Sequence, residues 1–435
     1  MVDSILERKI LIMKETLEFL IKINKLKETP RTGWVLMKVK NPETIAEHIF
    51  RLCFSSWFLG RIKNFNEERL IKTALSHDLC EVYAGDKTPF FYWEKLDKSK
   101  KEEEKILLKG IRLSKGEKEK RAKIKFENEK KSLLKLLYFL ENDLKKEIFT
   151  LWMNYEKRTS PLGKFVKQID RVETLLQSIE YFGKKGGGTS WWELTEEIVD
   201  DDLILEFLEV IQKKFYKKKI KESKKARELE SILDFLLKIG KVKRMPRLYW
   251  KLREVKSPET VAGHIFTLAT MAWIFGRKKR NLNMEKLLKM ALCHELSAVY
   301  TGDTTQYDRI LPKNKKERKK VLEKMLRLSK KEKEQISAAD YKEEEKAFKK
   351  LTKKLSPPLK NEILQLWGEY RKRNSLEASF LSQLNTLSVL FQGLLYETKD
   401  QNFTAQPLWE WAFETCEDEL TVKLLEELKN KFYGS

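Results

Sequence analysis

EFLIKINKLKETPRTGWVLMKVKNPETIAEH, residues 18–48, recurs without a gap as DFLLKIGKVKRMPRLYWKLREVKSPETVAGH, residues 234–264. The correspondence continues through TALSHDLCEVYAGD (73–86) against MALCHELSAVYTGD (290–303), and LWMNYEKRTS (151–160) against LWGEYRKRNS (366–375). It ends with FVKQIDRVETLLQSIEY (165–181) against FLSQLNTLSVLFQGLLY (380–396). Matched blocks in the same order make the chain a tandem duplication, so both copies should share one fold. The expected domains are residues 1–215 and 229–435, joined by the lysine-rich stretch 216–228. A chain of 435 residues suits two such domains.

Within each copy almost every segment has helical character. Asn41-Pro42-Glu43 and Ser257-Pro258-Glu259 each offer an N-cap residue, a proline for the first helical position and an acid for the first turn. Apolar residues then recur at helical spacing through Ile45, Ile49, Leu52 and Phe54, and Gly60 is the predicted stop. A second helix is predicted from Glu67 to Tyr83, ending at Gly85, and a third from Lys164 to Phe182. Segments 94–131 and 312–350, dense in Lys and Glu with periodic apolar residues, suit exposed amphipathic helices. Strand-like alternation is nearly absent. An all-α protein is expected.

A hydrophobic fraction of 41% with 11% aromatics is enough for real cores, and a charged fraction of 36% beside it is not the signature of disorder. Cys53, Cys80, Cys293 and Cys416 are too scattered for a zinc motif or a disulfide framework, which points to a reducing compartment. The N-terminal MVDSILERKILIMKETLEFL has a charged helical pattern unlike a signal peptide, and no stretch approaches the roughly 18 apolar residues of a membrane span. A cytoplasmic protein with no membrane partner is expected. The net charge of +23 attracts phosphates in general, on nucleotides, nucleic acid or anionic lipid. Aromatic residues do not interleave with basic ones in a recognisable nucleic-acid motif, so nucleic acid is not the favoured partner.

The four histidines, His48, His77, His264 and His294, fall at matching positions of the two copies. In the first copy Asp78 follows His77 directly. Adjacent residues diverge by about 100° around a helix, so both can reach one ion only at the edge between them, and further ligands must come from other helices. His48 supplies an imidazole from the preceding helix. Asp170 sits among Phe165, Ile169, Val172, Leu175 and Leu176, where an unpaired carboxylate would be costly to bury. Two imidazoles and two carboxylates suit one divalent transition metal, Mn, Fe, Co, Ni or Zn, with Mg a poorer match.

This ordered series H…HD…D resembles the HD-domain metal phosphohydrolases. Its context, RTGW, PETIAEH, SHDLCEVYAGDKTP, LWMNYE and FVKQID, is similar to the HD-containing 5′-deoxynucleotidases over nearly all of residues 15–215. The resemblance implies a compact helical bundle, with His48, His77, Asp78 and Asp170 as metal ligands. It also implies Glu81 and Asp86 as catalytic acids, and Arg31 and Trp34 as substrate contacts. Because that family commonly forms dimers, the two copies are expected to pack as an intramolecular pseudo-dimer.

Independent physical reasons support these roles. Glu81 lies four residues after His77, on the same helical face, where it can handle the proton of the attacking water or the leaving group. Asp86 follows a helix C-terminus, a poor place for a negative charge without a cation nearby, and capping of the next segment is the structural alternative. Arg31 offers a fork for phosphate, and Trp34 a face for a base, although a Trp at such a place is more often core. Thr88 and Pro89 would shape the following loop, and Glu47 would position His48.

The second copy keeps His264, His294 and Asp303, and Arg247 and Trp250 match Arg31 and Trp34. It has Glu295 for Asp78, Asn385 for Asp170, Ala298 for Glu81 and Gly263 for Glu47. A longer acid, a lost charge and a lost proton-transfer group predict a degenerate site without independent hydrolysis. The expected activity is metal-dependent hydrolysis of nucleoside 5′-monophosphates, as deoxyribonucleotides, with release of inorganic phosphate. The alternatives are an HD-type nuclease, phosphodiesterase or nucleic-acid-binding protein, and a non-catalytic interaction protein stabilised by metal.

Overall fold

A computed structural model describes residues 2–87, 114–183, 189–219, 222–305, 311–322 and 329–434. Among them the regular elements are helical, and extended backbone pairs only in the isolated bridges Pro30–Thr44 and Pro246–Thr260. The first copy runs α1 (Val2–Ile23), α2 (Thr32–Leu36), α3 (Ile45–Ile62), α4 (Glu67–Ser76), α5 (Glu81–Ala84), α6 (Lys115–Leu137), α7 (Asn142–Lys157), α8 (Pro161–Phe182), α9 (Thr189–Glu196) and α10 (Asp202–Tyr216). From Lys224 the order repeats as α11 (Lys224–Ile239), α12 (Leu248–Leu252), α13 (Val261–Gly276), α14 (Met284–Cys293) and α15 (Ala298–Thr301). Then follow α16 (Lys315–Leu322), α17 (Lys330–Leu351), α18 (Pro357–Lys372), α19 (Leu376–Glu397), α20 (Gln406–Thr415) and α21 (Glu419–Tyr433). The protein is all-α and built from tandem helical copies.

The compact units are Phe19–Leu236, and Met1–Glu18 together with Leu237–Ser435. The division therefore falls inside α1 and α11, the helices that open the repeats, and not in the lysine-rich stretch 216–228. Contacts of the two helices match this division. In the Phe19–Leu236 unit, Phe235 of α11 packs on Phe54 and Phe58 of α3, with ring centroids 5.9 and 5.0 Å apart. In the other unit, Glu18 of α1 pairs with Lys431.

The core of the first unit is built around α3, in which every residue from Ile45 to Gly60 is buried. A helix covered all round needs a covering element on each side, and α4 and α8 supply two of them. Gly60 does not stop α3, which continues to Ile62. A Cβ at Gly60 would lie 2.1 Å from Leu70 Cδ1, so this glycine instead lets α4 approach closely.

Two further expectations about boundaries are corrected. Asn41 is not the cap of α3; Thr44 is, in a reciprocal capping box in which Thr44 Oγ1 accepts from Glu47 N and Glu47 Oε2 accepts from Thr44 N. Residues up to Thr44 stay extended because Arg31 N donates to Glu43 O (2.9 Å) and Ile45 N to Thr29 O (3.1 Å). Glu47 is thus occupied in the cap. The helix predicted over Glu67–Tyr83 is broken after Ser76 by a turn closed through Leu79 N to Ser76 O (3.3 Å) and Glu81 N to Asp78 O (3.0 Å). It resumes as α5 and ends at Gly85, whose φ of +70° is open to glycine. Of the lysine- and glutamate-dense segments, α6, α16 and α17 are helical, and α6 and α17 begin with the capping boxes Ser114/Glu117 and Ser329/Glu332. The remainder of those segments between residues 94 and 113, and between 323 and 328, lies outside the described residues.

Candidate metal centre

The fold brings His48 from α3, His77 and Asp78 from the turn after α4, and Asp170 from α8 to one place. The two imidazole rings stand 5.4 Å apart, edge to face. His48 Nε2 lies 3.1 Å from Asp170 Oδ1, and His77 Nε2 lies 2.9 Å from Asp78 Oδ2. Donors at right angles around an ion with bonds of ~2.1 Å sit roughly 3.0 Å apart. Donor atoms of His48, His77 and Asp78 all fall within 4.8 Å of one another.

The hydrogen-bond pattern supports the same assignment. His77 Nδ1 faces Ala74 O at 2.8 Å, a carbonyl that can only accept, so the ring carries its proton there and leaves Nε2 as a lone pair. Nδ1 of His48 is paired with Glu173 Oε2. Both Nε2 atoms are buried and make no hydrogen bond. Two such nitrogens beside two carboxylates fit a divalent cation, and His48, His77, Asp78 and Asp170 are the residues that would hold it.

Electrostatics around the cluster are strongly shifted. Burial and Arg31 push the His48 pKa down, but Glu173 and Asp170 outweigh them and raise it to about 9. Against the opposing push of burial, His77 and then Arg31 hold Asp78 well below the ordinary carboxylate range, and His48 and His77 do the same for Asp170. Burial drives Glu81 well above that range, reinforced by Asp78 and Asp86, which favours its acid form. Arg31 Nη1 lies 4.0 Å from Asp78 Oδ2 and is buried without a hydrogen bond. Burial disfavours its charge, but Asp86, Glu43, Asp78 and Asp170 more than compensate.

Two of the remaining sequence-predicted residues have other employment. Trp34 is 1% exposed, donates Nε1–H to Glu43 Oε1 (2.9 Å) and stacks on Trp191, so it is a core residue rather than an open face for a base. Asp86 Oδ2 accepts from Thr32 N (2.6 Å), and Thr32 Oγ1 donates to Asp86 O (2.6 Å). This acid holds the start of α2 beside Arg31, which explains its tolerance at the end of α5 in terms of amide donors. Thr88 and Pro89 lie outside the described residues.

Sequence reasoning missed the support beneath His48. Glu173, fully buried on α8, also accepts from Arg51 Nε at 2.8 Å. Arg51 in turn donates to Glu180 Oε2 (2.5 Å) and Gln177 Oε1 (2.8 Å). Tyr155 Oη donates to Asp170 Oδ2 at 2.8 Å. The available signal was spacing: Arg51 lies three residues after His48 and Glu173 three after Asp170, each on its ligand's helical face.

In the second unit the equivalent residues also converge, differently. His264 and His294 rings stand 5.4 Å apart. Glu295 reaches within 4.0 Å of His264 Nε2 and 3.8 Å of His294 Nε2 but is paired directly with Arg247, whose Nη1 is also 3.7 Å from Asp303. Burial and Arg247 lower the His264 pKa to about 3; burial likewise lowers that of His294. Burial pushes Glu295 up, but Arg247 and the histidines bring it to about 2. Asn385 Nδ2 donates to Tyr370 Oη (2.9 Å), reversing the direction of the Tyr155–Asp170 bond. Leu248 N donates to Asp303 as Thr32 N does to Asp86.

The HD-domain family profile matches residues 23–115, 114–196 and 239–410, and the chain belongs to the HD-domain family. It is an enzyme of the hydrolase class. Among its relatives is a protein of Danio rerio named 5′-deoxynucleotidase HDDC2, 33% identical over 169 residues, which cover 39% of this chain and 70% of the relative. The human protein of that name is 32% identical over 168 residues, covering 39% and 69%. A fission-yeast 5′-deoxynucleotidase, hdd1 of Schizosaccharomyces pombe, is 32% identical over 170 residues, covering 39% and 73%. A solved structure described as a predicted metal-dependent phosphohydrolase from Magnetospirillum magnetotacticum is 21% identical, with a TM-score of 0.34 over 48% of this chain and all of the other. No helix among the described residues is long and apolar enough to cross a membrane.

Proposed function

We propose that the first unit hydrolyses nucleoside 5′-monophosphates, as deoxyribonucleotides, to nucleoside and inorganic phosphate. The observation that carries this reading is the buried convergence of His48 Nε2, His77 Nε2 and Arg31 Nη1, none in a hydrogen bond, on the carboxylates of Asp78 and Asp170. Two imidazole nitrogens facing two buried carboxylates suit a cation, which takes the place of a proton on His48, and an arginine N–H without an acceptor suits an anionic oxygen. The names of the relatives supply the nucleotide class.

A divalent ion bound by His48, His77, Asp78 and Asp170 supplies Lewis-acid polarisation of phosphate and activation of water. Arg31 neutralises charge on the phosphoryl oxygens as it builds in the transition state. Its position depends on Asp86, which ties the start of α2 to the end of α5. Glu81, whose acid form is favoured by burial, donates its proton to the departing 5′-oxygen. Glu173 and Tyr155 orient His48 and Asp170.

The test is phosphate release from ribo- and deoxynucleoside mono-, di- and triphosphates after chelation and resupply of Mn, Co, Ni or Mg. Wild type is compared with Asp78→Ala and Glu295→Ala. Release from monophosphates, abolished by Asp78→Ala and retained in Glu295→Ala, is the expected result. A metal-loaded protein that releases phosphate from none of them overturns the proposal and turns the search to oligonucleotides.

A further inference from the structure

We propose that the second unit binds a late transition-metal ion, without hydrolysis, through His264, His294, Glu295 and Asn385. The substitutions at two of the four ligand positions predict a lost site, but the atoms left behind do not look discarded. His264 Nε2, His294 Nε2 and Asn385 Oδ1 are buried and make no hydrogen bond. His294 Nδ1 faces the carbonyl of Ala291 at 2.8 Å, so the ring proton resides there and Nε2 offers a lone pair. The amide of Asn385 spends Nδ2 on Tyr370 Oη, which turns Oδ1 to the other side as an acceptor.

Leaving three polar atoms buried and unsatisfied is costly. A cation held by the two histidines beside Glu295, in the cavity that Asn385 also lines, would relieve them. His264, His294 and Glu295 can each place one donor atom within 4.8 Å of the others. A cavity of about 200 Å³, lined in part by His294, Glu295, Tyr370 and Asn385, gives an ion room to enter.

The donor set also indicates which ion. The first unit assembles two imidazoles with two carboxylates, whereas the second has two imidazoles, a neutral carbonyl and a single carboxylate. Weaker charge and unchanged nitrogen count shift preference from Mg and Mn toward Co, Ni and Zn. Arg247 is paired with Glu295, so the ion must compete with a guanidinium for that carboxylate. Ala298 stands where the first copy has Glu81, so the group assigned to proton transfer in the first unit is missing here.

The test uses the full chain, stripped of metal and titrated with Co²⁺ and Mn²⁺, with bound metal counted and the Co²⁺ visible spectrum recorded. Wild type should bind two Co²⁺ ions, and Asp78→Ala/Asp170→Ala should keep one. That remaining ion should be lost when His264→Ala and His294→Ala are added, and Mn²⁺ should bind it at least about tenfold more weakly than Co²⁺. Arg247→Ala in the same background should tighten Co²⁺ binding by about tenfold. If the alanine pair unfolds the second unit by circular dichroism, His294→Gln, which keeps size and polarity, is substituted and should weaken Co²⁺ binding at least about tenfold. Failure of Asp78→Ala/Asp170→Ala to bind Co²⁺, or Co²⁺ binding that survives loss of the second-unit histidines, overturns the proposal. Neither result depends on whether the first unit hydrolyses a nucleotide.

Discussion

Replacing Glu173 by glutamine tests whether the buried ion cluster under His48 is part of the metal centre. The carboxylate serves two donors, Arg51 Nε–H through one oxygen and His48 Nδ1 through the other. Glutamine keeps the shape but offers one acceptor oxygen, so one donor must face an NH₂ group. An unsatisfied buried donor costs about 1–3 kcal/mol, and loss of a charge-assisted bond to Arg51 brings the total to about 3 kcal/mol. Glu180 and Gln177 still hold the guanidinium, which keeps the cost below that of a fully stranded charge. For a unit of this size the loss lowers melting by roughly 6–12 °C. Freed at Nδ1, the imidazole loses both orientation and basicity, and metal affinity should fall about 10–100-fold. Differential scanning calorimetry of the metal-free protein and isothermal titration with Mn²⁺ measure the two effects separately. Wild-type metal affinity in Glu173→Gln would refute the role assigned to this residue. Weakened binding with unchanged melting would show that Glu173 orients His48 without stabilising the unit.

Three shorter predictions follow from the same geometry. In Gly163→Ala the new Cβ would lie 2.3 Å from the Asn154 carbonyl oxygen, a backbone atom of α7 that cannot rotate away. The variant should lose about 2–3 kcal/mol and bind metal more weakly, because α7 and α8 carry Tyr155 and Asp170; calorimetry and metal titration check both. Glu81→Gln should bind metal as wild type does while kcat falls by about 10²–10⁴. Wild-type kcat should decline as pH rises through the raised Glu81 pKa, since the acid form is the donor, and that limb should be missing from the variant's pH profile. Restoring the second copy with Glu295→Asp, Ala298→Glu and Asn385→Asp in an Asp78→Ala background should not restore phosphate release, and recovery of near-wild-type turnover would contradict the importance given to the buried support.

The fold class and the place of the centre were legible because they rest on features that repeat. Aligned histidines, helical apolar spacing and the HD pair survive in a single sequence whatever the surroundings. The misses share a cause, which is tertiary context overriding a local rule. Pro42 reads as a helix start until the Pro30–Thr44 bridge keeps that segment extended, and Thr44 then takes the cap. Gly60 reads as a stop, but Leu70 requires its missing side chain. The long α4 pattern hides the turn that presents His77 and Asp78. Arg51 and Glu173 carry a spacing signal relative to His48 and Asp170, but spacing alone does not separate buried charges from surface ones in a chain so rich in Lys, Arg, Asp and Glu. Their burial depends on α3 meeting α8, which is not encoded in either helix alone.

The duplication itself separates architecture from chemistry, because each copy is a control for the other. Trp34 bonded to Glu43 is repeated by Trp250 bonded to Glu259, and Asp86 on Thr32 is repeated by Asp303 on Leu248. These contacts persist where the ligand set has changed, so they serve the fold and the placement of the arginine. The buried cluster behaves differently. Arg51, Glu173 and Glu180 correspond to Thr267, Ser388 and Leu395, so all three charges disappear together from the copy that also lost Asp78 and Asp170. A buried ion cluster is a poor source of stability compared with apolar packing. Its retention in the first copy is explained by an imidazole that must be held in one orientation, and its loss in the second by release from that demand. The same comparison supports the proposed chemical role of Glu81, replaced by Ala298, whereas Asp86, kept as Asp303, is bonded in both copies to the residue after the arginine.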